Sequence, residues 1–125
     1  MLEYAADKMT MIPRDLFSTL MVWGGRMKNE KVTVLALVKA KEGMEETVRE
    51  ELLSLVNPTR SEPGCMNYDL HQATEEKTLF MFYENWKSME DLEKHRETAH
   101  LKAFREKAAG LLAKPLEVTL FEMIS

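Results

Sequence analysis

The chain has 125 residues, 45% of them hydrophobic and 30% charged, which fits one soluble folded domain and argues against a disordered chain. A formal net charge of −4 argues against nucleic acid or an anionic membrane surface as the partner. The lone cysteine, Cys65, leaves no intramolecular disulfide to form and fits a reducing compartment, so a cytoplasmic location is expected.

Residues 1–26 do not follow the pattern of the remainder and read as an N-terminal appendage, either an upstream start or an arm on a neighbouring surface. Its apolar piece, Leu16 to Trp23, falls far short of the roughly 20 residues a membrane span needs. Mixed charges ahead of it and the Trp-Gly-Gly-Arg that ends it do not suit a signal peptide. Asp15 is placed to cap a short helix that Gly24 and Gly25 would stop. Residues 27–125 read as the domain proper.

VTVLALVKA, Val32 to Ala40, is a β-branched and aliphatic run of strand length. From Glu45 to about Arg60, Val48, Leu52, Leu55 and Val56 recur at helical spacing, with Glu and Arg on the opposite face. Pro58 should loosen the final turn of this helix, and Ser-Glu-Pro-Gly at 61–64 breaks the chain. A second strand, Cys65 to Ala73, places Met66, Tyr68 and Leu70 on one face, and a polar connection leads to a third, Thr78 to Trp86. A short helix over Ser88 to His95 and another from about Thr98 follow, before Pro115 ends the helical pattern and Leu116 to Ile124 closes as a strand. Ten methionines are many for this length, and those inside the elements suit core packing better than a metal-binding methionine cluster.

The order β-α-β-β-α-β, with its second helical segment split, predicts an α+β ferredoxin-like fold: a four-stranded antiparallel sheet with helices on one face. Leu79, Met81 and Tyr83 line one sheet face and Phe80 and Phe82 the other, so both faces are apolar. A sheet of that kind needs a second cover, and another copy of the chain, sheet against sheet, supplies it. A homodimer is expected.

The stretch FYENWKSMEDLEKHRETAHLKAF, Phe82 to Phe104, holds the candidate site. Glu84 and Trp86 stand two apart on a strand and face the same way. Met89, Leu92 and His95 share one stripe of the short helix, and His100 opens the next. A carboxylate, an indole and two imidazoles can therefore converge between the sheet and its helices. Each has a plain structural alternative: a core Trp, a paired Glu, a satisfied interior His and a helix-start His. Tyr68 and Tyr83 are lesser candidates, and His71 is expected to be exposed. Cys65 has no evident base beside it, so it is not read as a nucleophile. No metal site is expected, because His95 and His100 are five apart across a helix break; with Glu84 they offer at most a fortuitous zinc or nickel site.

With VTVLALVKAKEG, SEPGCMNYDL, YENWKSMEDLEKH and TAHLKAF in view, the chain from about Lys31 to Phe121 resembles the antibiotic biosynthesis monooxygenase (ABM) domain family. Glu84, Trp86, His95, His100 and the following Phe104 match that family's pattern, although Ala99 stands where members often carry Pro. The resemblance implies a homodimeric α+β barrel with a pocket in each subunit, and a quinol-monooxygenase-like enzyme that needs no metal or flavin. Its substrates would be a small aromatic quinol or phenol and dioxygen. Haem degradation is not expected, since the first strand has no Asn and REKAAGLLAK has no His. Within this picture His95, His100 and Glu84 are the candidate catalytic residues, and Trp86, Tyr68, Tyr83 and Phe104 the candidate substrate contacts. An isomerase or degradation enzyme for a small hydroxycarbonyl signal metabolite, and a non-catalytic small-molecule-binding stress protein, remain alternatives, because a shared fold does not fix a reaction.

Overall fold

Alternation along the first strand sets the architecture. In β1, Val32–Lys39, the side chains of Val32, Val34, Ala36 and Val38 are buried while Thr33, Leu35, Leu37 and Lys39 stay partly exposed. The computed structural model of the chain describes residues 31–125, so the appendage of residues 1–26 and its expected helix after Asp15 lie outside the described residues. Gly43, at φ +85°, turns the chain in a backbone region that costs other residues energy. The helix α1, Glu45–Arg60, follows and buries Val48, Leu52, Leu55 and Thr59 on one stripe. Its last turn tightens after Pro58, where the Ser61 N–H is shared by the carbonyls of Asn57 and Pro58 at 3.1 and 3.3 Å.

The strand β2, Cys65–Gln72, pairs antiparallel with β3, Leu79–Trp86, and β3 pairs with β1. An irregularity between Cys65 and Asn67 breaks the alternation, and Met66 is turned out to solvent. The expectation that Met66 shares the face of Tyr68 and Leu70 therefore fails at this bulge. Two helices come next: α2, Met89–Arg96, capped by the Ser88 hydroxyl on the Asp91 N–H, and α3, Ala99–Leu111, capped by Thr98 on the Leu101 N–H. Among the described residues the strand β4, Glu117–Phe121, pairs with β1 alone. It is shorter than the expected Leu116 to Ile124; Met123 and Ile124 lie exposed beyond its last pair, Phe121 with Thr33.

The sheet order β2-β3-β1-β4 with antiparallel neighbours is the ferredoxin-like α+β arrangement. The three helices of the described residues sit on one face, over a core that includes Val34, Val38, Phe80, Phe82, Trp86, Leu52, Leu101 and Phe104. Each such side chain contributes about 1.5–3 kcal/mol when fully buried. The opposite face carries Leu35, Leu37, Leu79, Met81 and Tyr83 beside a polar ribbon. In that ribbon the Thr33 hydroxyl donates to Asn85 Oδ1, and Asn85 Nδ2 donates to Asn67 Oδ1 at 2.9 Å. Among the described residues no helix is long and apolar enough to cross a membrane.

Candidate active site

A turn between α1 and β2 delivers the carboxylate around which the histidines gather. The Glu62 N–H donates to the Thr59 carbonyl at 2.9 Å, and the Glu62 carbonyl accepts from the Cys65 N–H at 3.0 Å. Next along, the Gly64 carbonyl accepts from the Lys87 N–H at 3.0 Å, tying the turn to the end of β3. Gly64 also lies against α2 so closely that a Cβ there would overlap the Asp91 side chain. The turn is thus clamped between the sheet and α2, and Glu62 is brought to the inner ends of α2 and α3.

One oxygen of that carboxylate serves both imidazoles. Glu62 Oε2 lies 3.0 Å from His95 Nδ1 and 2.8 Å from His100 Nε2. An ionised carboxylate only accepts, so each facing nitrogen must carry a proton. In the neutral ring this fixes the tautomers: His95 Nε2 and His100 Nδ1 are left as lone-pair acceptors. Burial lowers the His95 pKa below its ordinary value, and the bond to Glu62 pulls the other way without overcoming it. His95 is therefore a neutral imidazole at neutral pH.

A second polar pair stands beside the first. The Trp86 indole N–H donates to Glu84 Oε1 at 2.9 Å, both side chains being buried on the helix-covered face of β3. Burial raises the Glu84 pKa to about 8, against the indole bond that lowers it, with the Glu62 charge adding to the rise. Glu84 is mostly protonated at pH 7, and its carboxylic acid can donate a hydrogen bond. Aromatic contacts join the two pairs: the Trp86 and His95 ring centroids are 4.6 Å apart, and Tyr68 meets His95 edge-on at 5.5 Å and stacks on Phe82 at 4.4 Å.

Glu84 lines two small cavities, each of about 20 Å³. One lies between sheet and helices against Tyr68, Phe82, Leu101 and Phe104, the other against His95, Leu92 and Val118. Each has room for a water but not for a ring, since a cavity of about 150 Å³ is what benzene occupies. A larger groove, about 360 Å³, lies on the opposite sheet face between Thr33, Leu35, Tyr83, Phe121 and Met123, away from the histidines.

Of the residues singled out from the sequence, His95, His100, Glu84, Trp86 and Tyr68 are gathered here, and Phe104 closes one cavity with Glu84. Tyr83 is not gathered with them; it projects from the opposite sheet face and is exposed. His71 is exposed, as anticipated. Burial pushes the Cys65 thiol up to about 11, consistent with an inert thiol. In the sequence Glu62 reads only as part of a chain break, and Glu84 is the carboxylate grouped with the histidines. The structure puts Glu62 on both rings instead. No local signal marks Glu62: its place three residues before Cys65, the partner of Trp86, is set by strand register.

Comparison with known proteins follows the same outline. A family model described as Antibiotic biosynthesis monooxygenase matches residues 31–107. The Bacillus subtilis protein named "Putative monooxygenase YcnE" is 35% identical over 74% of this chain and 97% of its own length. A Synechocystis protein, named as the uncharacterized protein sll1783, is 30% identical over 76% of this chain, which spans 65% of that relative. Among solved structures, PA3566 from Pseudomonas aeruginosa superposes with a TM-score of 0.75 at 32% identity, covering 78% of this chain and 98% of its own. Rv0793 from Mycobacterium tuberculosis gives 0.73 at 27% identity, covering 77% and 97%.

Proposed function

The chain belongs to the antibiotic biosynthesis monooxygenase family, and we propose that it is a cofactor-independent monooxygenase acting on a small aromatic quinol or phenol. The observation that carries this reading is the shared contact of His95 and His100 with one oxygen of Glu62. In the neutral rings that contact leaves a lone pair on the other nitrogen of each, while Glu84 stands nearby as a protonated acid. A base and an acid of this kind are what the reaction asks of a protein.

An electron-rich phenolate supplies the electrons itself. The phenol gives up its O–H proton to a histidine lone pair, and the phenolate ring then reduces dioxygen by four electrons in all. One oxygen atom becomes a new ring carbonyl; the other leaves as water with the phenolic hydrogen and the ring hydrogen that was replaced. Phenol plus dioxygen thus balances to quinone plus water with no further reductant. His100, less buried than His95, is the proton acceptor nearer to solvent. His95, held in a fixed tautomer, orients the substrate oxygen. Glu84 hydrogen-bonds the developing carbonyl or returns a proton to the departing oxygen, and Trp86 with Tyr68 gives the ring a flat wall. Phe104 and Leu101 must swing aside to admit a ring, because the cavity they close is water-sized.

The cavity size favours one second reading, in which the same base isomerises or degrades a small hydroxycarbonyl compound without oxygen. The sheet face away from the helices, where Leu35, Leu37 and Met81 are half-buried and Tyr83 is exposed, further supports a homodimer in which these residues meet a second copy. Dioxygen uptake by chelator-treated protein against a panel of hydroquinones, with autoxidation subtracted, tests the lead reading. Saturable uptake that falls by about 10²–10⁴ in His100→Ala is the expected result. Turnover without uptake selects the isomerase, and no turnover of any substrate leaves a binding protein.

A further inference from the structure

The geometry points to a binding site for a divalent first-row transition ion, zinc or cobalt in character, made by Glu62, His95 and His100. One donor atom from each of these residues lies within 4.8 Å of the others. Two imidazole nitrogens and one carboxylate oxygen are a donor set that suits zinc and its first-row neighbours rather than magnesium or calcium, which take oxygen ligands. The spacing is close to what such an ion needs. Nitrogen and oxygen ligands at about 2.0–2.1 Å around a tetrahedral ion stand about 3.3 Å apart. Here Glu62 Oε2 is 3.0 and 2.8 Å from the two nitrogens, which themselves lie within 4.8 Å of each other, so an ion enters as the two imidazoles close around it.

The surroundings allow that movement and hold the ligands for it. His95 is fixed by burial between Trp86 and Tyr68, and Glu62 by the clamped turn. His100, in the first turn of α3 and about a quarter exposed, is the ligand with freedom to adjust, and its side gives the ion a path from solvent. Three protein ligands leave a fourth position open to water, the pattern of zinc sites that remain reactive rather than closed. Ligation moves the remaining proton of each neutral ring to its opposite nitrogen. The lone pairs on His95 Nε2 and His100 Nδ1 are thereby lost, so an occupied site cannot take a proton from a phenol. That consequence rests on the oxygenase reading, whereas the binding itself does not. The sequence spacing of the two histidines argued against a metal; the third ligand that completes the set comes from the turn before β2.

The test is titration of the chelator-treated full chain with cobalt(II), read by its ligand-field absorption, and with zinc by calorimetry. One ion per chain is expected, with intense tetrahedral cobalt bands. Glu62→Gln and His100→Gln should each weaken binding by more than the ~10–100-fold lost on removing a merely supporting residue, while exposed His71→Ala leaves it unchanged. Circular dichroism confirms that each variant is folded. Absence of the bands at millimolar cobalt, or binding that survives both substitutions, overturns the site. Because the readout is binding, this result is independent of whether any quinol is turned over.

Discussion

Trp86 donates its indole N–H to a carboxyl two positions back on the same strand, Glu84 Oε1, at 2.9 Å, and both side chains are buried. The bond partly offsets the cost of placing an acid between sheet and helices, and burial still raises the Glu84 pKa from 4.5 to about 8. Between these values the folded protein keeps a proton that the unfolded chain releases. Stability therefore falls as pH rises through the window, at no more than about 1.4 kcal/mol per pH unit. Urea midpoints taken from pH 5 to pH 8 should drop in the wild type relative to Glu84→Gln, whose neutral amide does not titrate. A parallel pair of curves contradicts the assignment.

Removing the charge at Glu62 should act on both histidines together. In Glu62→Gln the negative charge that raises the His95 pKa is lost, so that pKa falls further and the acid limb of kcat/KM moves to lower pH. The rate should fall about 10–100-fold, the usual cost of losing a group that orients a catalytic one. Nitrogen-detected NMR of the rings reads the tautomers directly. A variant that keeps the wild-type limb and tautomers shows that Glu62 only packs.

Gly64→Ala tests whether the turn is clamped as described. A Cβ at this position meets the Asp91 side chain, so turn and helix must part. Overpacking of this kind costs about 1–3 kcal/mol. The expected outcome is a lowered Tm with a disproportionate loss of activity, since Glu62 rides on the same turn. An unchanged Tm refutes the clamp.

How much of this was open to reading in the sequence follows from range. Strands and helices declared themselves through local periodicity, while the helix over Ser88 to His95 begins one residue later in the structure, with Ser88 as its cap. The convergence of Glu84, Trp86, His95 and His100 followed from strand parity and helix spacing within one stretch. Glu62 did not, because its partners lie 33 and 38 residues away and are set by strand register. Met66 was misread for the opposite reason: a bulge is a one-residue event that alternation cannot announce. Tyr83 was grouped with the site by chemistry although parity already placed it opposite Glu84.

The half-exposed apolar sheet face makes a prediction of its own. Light scattering at micromolar concentration should return twice the 14.5 kDa of one chain, and Leu35→Asp, at the centre of that face, should return a monomer. A wild-type monomer overturns the dimer, and an unaffected Leu35→Asp dimer moves the interface elsewhere.

Oxygen-18 labelling puts the monooxygenase reading to its most direct test. Under labelled dioxygen, with the hydroquinone that gives the strongest uptake, the account predicts one labelled atom in the quinone and one in water. It also predicts one dioxygen consumed per substrate, no hydrogen peroxide, and loss of all this in His100→Ala. An unlabelled quinone formed with a full equivalent of peroxide, or product formed equally well without dioxygen, contradicts it.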